Sequence, residues 1–165
     1  MLTASATGLF PEQSLPVYSA CKAGVIGLVR ALRASLPYTH KTTINAVAPA
    51  ATITRLLPKH FAAPIIGAGL PVSSAHHVGL AIAYSAAATQ QWQVERYGKD
   101  SSEVSNAPGR WNGRVILTLG DTWTEIEEPL ATLRPEWAGR YQSEMTARQQ
   151  ELTDFRPLET SSKSS

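Results

Sequence analysis

The chain has a single cysteine, Cys21, in 165 residues, so no internal disulfide can staple it. Its formal net charge is only +2, far from the strongly basic balance of nucleic-acid-binding domains. Long apolar runs are also scarce. Residues 62–92 carry no charge but are broken by proline, glycine, histidine, serine and glutamine, unlike the roughly 20 apolar residues that span a bilayer. Neither a nucleic acid nor a membrane is an expected partner. The first Lys or Arg is Lys22, so a secretory signal with its basic leading region is not expected, and a cytoplasmic location is the default. There is no Gly-x-Ser-x-Gly elbow of a serine hydrolase. His76 and His77 are adjacent and diverge on a helix, with no carboxylate or cysteine at ligand spacing, so no metal site is expected.

What is present suffices for one domain. Hydrophobic residues make up 43% of the chain, enough to fill the core of a domain this size. Charge is unevenly placed: residues 1–88 hold six basic residues and one acid, Glu12, whereas residues 89–165 hold nine basic and twelve acidic. The cationic first part suits an anionic ligand or is scattered solvated charge.

Residues 1–5 form a short apolar run that fits a strand reaching a loop, and residues 7–16, with Gly8, Pro11 and Pro16, read as that loop. From 17 to 36, Cys21, Val25, Leu28, Val29 and Leu32 recur at helical steps, and Pro37 is expected to end the helix. Cys21 is expected as a small buried residue. Residues 43–48 read as a buried strand, followed by a loop rich in proline and glycine, in which residues 56–70 with Phe61 are a lid or a plain surface loop. Ser74 is a candidate N-cap for a helix through Val78, Ile82 and Ala86. Residues 89–113 are polar and predict an extended loop or a frayed helix end, read as an insertion; residues 114–119 predict a strand after an Asn112-Gly113 turn. Residues 124–139 are acidic and Trp-bearing, residues 140–152 predict an amphipathic helix, and residues 161–165 a frayed tail. Trp92, Trp111, Trp123 and Trp137 are expected to be packing anchors. Three strands alternating with helices imply an α/β fold with a parallel sheet that looks incomplete.

The constellation that carries chemistry is Tyr18-Ser-Ala-Cys-Lys22. A Tyr and a Lys at i and i+4 share one helix face. A phenol, with a reference pKa near 10, is a poor acid or base at neutral pH until a nearby cation favours phenolate. Lys22 can be that cation, and Ser5, at the end of the first strand, can hydrogen-bond a substrate oxygen. The pair alone is a weak signal; joined to the upstream Ser and to Ile44-Asn-Ala-Val-Ala-Pro49 it becomes specific.

With Ser5, Tyr18, Lys22, Asn45, Pro49 and Thr54 in that order, residues 1 to about 119 resemble the C-terminal half of the short-chain dehydrogenase/reductase family. The Gly69-Leu-Pro-Val72 and Glu125-Ile-Glu-Glu128 stretches are similar to a fungal branch related to 15-hydroxyprostaglandin dehydrogenases, which suggests secondary metabolism. The resemblance implies a partial Rossmann-like, doubly wound parallel sheet lacking the N-terminal nucleotide-binding half. It assigns residues 1–120 to that domain, with 89–113 inserted, and residues 121–165 to a C-terminal tail. It implies an oxidoreductase that interconverts a secondary alcohol and a ketone with NAD or NADP. Ser5 would hold the substrate oxygen, Tyr18 would be the general acid/base, and Lys22 would assist Tyr18 and bind the nicotinamide ribose. Pro49, Thr52 and Thr54 would hold the nicotinamide carboxamide. Two departures stand out. Ala50 replaces the glycine that follows the family's proline, and the sequence has no Gly-rich turn to seat a pyrophosphate at a helix N-terminus. The absent first units amount to on the order of a hundred residues.

The alternative is a truncated, non-catalytic relative that pairs through its helices with a full-length dehydrogenase or with itself. A third reading is that the chain does not fold alone, because an uncovered parallel sheet exposes apolar faces and edges.

Overall fold

In the computed structural model, residues 1–156 are described. The central sheet has four strands in the order β1 (Leu2–Thr3), β2 (Ala46–Pro49), β7 (Val115–Leu119) and β8 (Thr122–Glu125). The first three are parallel, with Leu2 opposite Ala46 and Ala46 opposite Val115. The fourth, not expected from sequence, returns antiparallel to β7 with Leu119 opposite Thr122. Gly120, at φ +58°, makes this return possible in two residues.

Helices cover both sheet faces, as the strand alternation requires. Ala46, Ala48 and Val115 point to one side and pack with Ile26 and Val29 of α1 (Pro16–Leu32). Val47 and Ile116 point to the other and pack with Val78 and Ala81 of α4 (Ala75–Ala87). Ser74 caps α4 as expected, its hydroxyl accepting from the His77 amide at 3.1 Å. The sheet, parallel across β1, β2 and β7 with helices on both faces, is a partial Rossmann-like unit.

Proline was misleading twice. The first helix stops at Leu32, and Pro37 opens a second, α2 (Leu36–His40), in whose first turn its missing N–H leaves nothing unpaired. The segment read as a loop after β2 contains β3 (Thr52–Ile53) paired in parallel with β4 (Ser73–Ser74) and, between them, α3 (Lys59–Gly67) with Pro64 inside it. Within residues 89–113, β5 (Thr89–Gln90) and β6 (Gly109–Arg110) form an antiparallel pair around the single turn α5 (Ser102–Ser105). After β8 come α6 (Glu127–Thr132), α7 (Arg134–Ala138) and α8 (Arg140–Leu152). The tail expected at 161–165 lies outside the described residues. Cys21 is exposed, contrary to expectation, because the faces of α1 that pack are carried by Ser19, Ile26 and Val29.

Long polar links tie these layers. Buried Asn45 donates to the Trp111 carbonyl and accepts from the Arg114 amide, joining the start of β2 to that of β7. Asn112 accepts from the Ile44 amide and donates to the Arg33 carbonyl. The excess basic charge of the first half is partly absorbed internally: Arg30 and Arg33 pair with Glu127, and Arg33 also with Glu95. Arg33 is largely enclosed, whereas Arg30 stays 42% exposed and so is solvated surface charge as well as an ion-pair partner.

Candidate active site

Ser5 ends the backbone run of β1 and caps a single 3-10 turn at Ala6–Gly8, its hydroxyl accepting from the Thr7 amide at 3.2 Å and the Thr7 hydroxyl at 3.1 Å. It donates, at a long 3.4 Å, to the Pro49 carbonyl at the end of β2. The turn lies directly on α1. A Cβ at Gly8 would stand 2.7 Å from the Lys22 carbonyl carbon and 2.9 Å from the Ala23 nitrogen, so only glycine permits this approach.

Tyr18 and Lys22 occupy successive turns of α1, which begins at Pro16 with the fixed φ suited to a first helical position. The Lys22 ammonium lies 5.5 Å from the Tyr18 ring centroid and donates to the Thr3 carbonyl at 2.9 Å. Tyr18 is 37% exposed, leaving its ring accessible to a ligand. The structure thus brings Tyr18 and Lys22 together on a helix that Gly8 lets lie against the turn capped by Ser5, with the Lys22 ammonium held on the Thr3 carbonyl.

The other expected residues are arranged differently. Pro49 adjoins Ser5 through the 3.4 Å bond, so it belongs to the same corner. Thr52 turns its hydroxyl back onto the Ala50 carbonyl at 2.9 Å. Thr54 is exposed, and its hydroxyl accepts from the Leu56 and Leu57 amides, stabilising the local turn. Both threonine hydroxyls are occupied by backbone. Phe61, in the segment read as a lid, is exposed on α3.

Residues 1–64 match the family described as short chain dehydrogenase. The chain is similar to part of a short-chain dehydrogenase. It is 58% identical over 156 residues to the short-chain dehydrogenase/reductase prx4 of Penicillium roqueforti, covering 94% of this chain and 46% of that protein. It is 51% identical over 156 residues to the short-chain dehydrogenase/reductase ATR7 of Stachybotrys chlorohalonatus, covering 94% of this chain and 48% of that protein. The chain spans about half the length of the curated relatives it matches. Among the described residues, no helix is long and apolar enough to cross a membrane.

A nicotinamide cofactor, the usual partner of short-chain dehydrogenases, fits these residues only in part. Tyr18 offers an exposed aromatic ring, Lys22 a cation beside it, and Ser5 a hydroxyl at the end of β1. The cofactor's pyrophosphate finds no Gly-rich turn in this sequence.

Sequence reasoning missed the acidic stretch as a structural device. Glu125 accepts from the Glu127 and Glu128 amides at the start of α6 and pairs with buried Arg114. Glu128 pairs with the same guanidinium at 2.6 Å, and that bond holds its carboxyl below the usual range. The alternation of Glu at 125, 127 and 128 against Arg30, Arg33 and Arg114 was the available signal. A cavity of about 390 Å³ lies at the C-terminal end of α1 beside Arg30, Arg33, Glu95 and Arg134.

Proposed function

We propose that the chain supplies the proton-transfer side of an NAD(P)-dependent oxidoreductase acting on a secondary alcohol or ketone. The observation that carries this reading is the Lys22 ammonium fixed against the Tyr18 ring on a helix held by Gly8 to the turn capped by Ser5. When bound, the cofactor supplies the hydride chemistry.

In this reading the Tyr18 hydroxyl gives its proton to a ketone oxygen, or takes one from an alcohol. The positive charge of Lys22 stabilises the phenolate that forms on Tyr18. Ser5 donates to the same substrate oxygen, exchanging its long bond to Pro49 for a shorter one while Thr7 keeps its lone pairs oriented. Pro49 shapes the adjoining wall. Thr52 and Thr54 keep their backbone partners and act by holding the loop rather than by contacting the carboxamide with their hydroxyls.

The test is ketone-dependent consumption of NADH and NADPH by the chain and by Tyr18→Phe. Loss of about 100- to 10,000-fold in turnover is expected, the usual worth of a positioned acid/base group. Retained turnover in Tyr18→Phe overturns the assignment.

A second reading, a non-catalytic partner of a full-length dehydrogenase, is supported by the exposure of Val17 and Leu28 on α1. Absence of turnover in the wild-type chain, with co-elution of the chain and prx4 of Penicillium roqueforti, would select it.

A further inference from the structure

The cavity of about 390 Å³ at the C-terminal end of α1 is built from three separate parts of the chain. α1 and its cap contribute Arg30 and Arg33, the segment between β5 and α5 contributes Glu95 and Tyr97, and α7 and α8 contribute Arg134 and Gln150. From Arg30, Tyr18 lies about 18 Å away along the axis of α1, at 1.5 Å per residue, so the cavity is separate from the corner where Tyr18 meets Lys22. Its charges do not cancel. Glu127, 2% exposed, accepts from Nε and Nη2 of Arg30 and from Nη1 of Arg33. Glu95 accepts from Nη2 of Arg33 and from both Nη atoms of Arg134. Three guanidiniums thus face two carboxylates. Among the described residues, Nη1 of Arg30 and the Nε of Arg33 and of Arg134 have no acceptor. The carbonyls that end a helix disfavour an anion, but here Asn112 and Arg156 donate to those of Arg33 and Ala34.

We propose that this cavity binds an oxyanion, a carboxylate or phosphate group carried on a small organic molecule. The oxyanion takes the open donors of Arg30 and Arg134 and supplies the negative charge that the three arginines lack. Charge-assisted hydrogen bonds are the stronger class, and a guanidinium presents its N–H groups in a planar fork that fits both anions. Ala31, Ala34 and Val94 give the same lining an apolar part. That part receives the organic group, since ligand cavities combine apolar walls with a few placed polar groups. Glu95 is the competing group, because it holds Arg33 and Arg134 with a carboxylate of the protein's own. A network that serves stability alone is weakened by loss of Glu95 and gains no ligand, whereas a binding site gains affinity. The inference does not depend on the roles given to Tyr18 and Lys22.

The experiment titrates the 165-residue chain, isotopically labelled, with inorganic phosphate and with succinate, against sodium chloride at matched ionic strength. The signals followed by NMR are the Nε–H resonances of Arg30, Arg33 and Arg134. Saturable shifts with a dissociation constant on the order of 1 mM are expected, and chloride is expected to produce none that saturate. Tighter binding of phosphate assigns a phosphate ester, tighter binding of succinate a carboxylate, and either result supports the site. Arg134→Gln is expected to weaken binding about tenfold, the worth of one charge-assisted hydrogen bond. Glu95→Gln is expected to tighten it about tenfold, the scale of one like charge removed from a partly exposed site. Shifts no different from those in chloride overturn the proposal. So does a folded Glu95→Gln chain that binds more weakly than wild type. If Glu95→Gln loses its dispersed amide spectrum, Arg134→Gln decides, and unchanged affinity in that variant overturns the proposal. Neither readout involves turnover, so the result stands apart from the Tyr18→Phe test.

Discussion

Arg30 on α1 and Glu127 on α6 meet in a two-pronged ion pair, with Nε 2.9 Å and Nη2 2.8 Å from the carboxylate oxygens. Glu127 is 2% exposed, and Arg33 donates to it from a second direction at 3.2 Å. A carboxylate so enclosed is tolerable only while paired. Replacing both arginines with alanine is expected to destabilise the chain by about 3–5 kcal/mol, the penalty of an uncompensated buried charge. Urea unfolding measures it, and a loss below about 1 kcal/mol, typical of exposed pairs, would contradict the enclosure.

Gly8 makes a sharper steric demand. A methyl group there collides with the Lys22 and Ala23 backbone, which cannot give way without moving the helix. Gly8→Ala is expected to lower stability by about 1–3 kcal/mol, as overpacking does. Nuclear Overhauser contacts between the Ala6–Gly8 turn and α1 should weaken in parallel. An unchanged urea midpoint would refute the close approach.

At the end of the described chain, Arg156 stacks between Tyr38 and Tyr97, 5.0 and 4.9 Å from their ring centroids, and pairs with Asp100 and Asp154. The Arg156 hydrogen bond is the main reason that the Asp154 carboxyl titrates well below its ordinary value. Burial, with Asp100 beside it, pushes the Tyr38 phenol up. A depressed carboxyl stabilises the fold fully above its unfolded pKa, about 3.9, and loses that contribution as pH falls toward its folded value. Asp154→Asn should therefore be less stable than wild type at pH 7, and the gap should close as the medium is acidified below about pH 4. A gap independent of pH in urea titrations would refute the linkage.

Thr118, on β7, is fully buried, and its hydroxyl has no hydrogen-bond partner among the described residues. Valine has nearly the same shape without the polar group. Thr118→Val is expected to raise stability by about 1–3 kcal/mol, the desolvation penalty of an unsatisfied hydroxyl. A fall in the unfolding midpoint would mean that the hydroxyl is satisfied in solution.

The alternation of apolar residues made β2, β7 and the two covering helices legible, because a buried strand or helix must repeat with its own period. The Tyr18 and Lys22 pair could be read for the same reason, since their spacing alone sets a common face. β8 was missed although Gly120-Asp121, two residues between Leu119 and Thr122, is a hairpin signal; the short polar strand that follows has no apolar rhythm. α3 was missed because Pro64 and its flanking glycines were weighed as breakers. The backbone occupation of Thr52 and Thr54, and the hold of Thr3 on Lys22, depend on tertiary proximity that no local pattern encodes.

The sheet also has a temporal order written into its register. Closing β7 on β8 requires a turn of two residues, whereas seating β1 on β2 closes more than forty and β2 on β7 nearly seventy. Loop entropy is lost before distant pairings return anything. On refolding, the hairpin therefore nucleates at one end of the sheet, β1 seats on β2 next, and the longest closure, β2 on β7, comes last, so the corner at Lys22 takes shape before the sheet is complete.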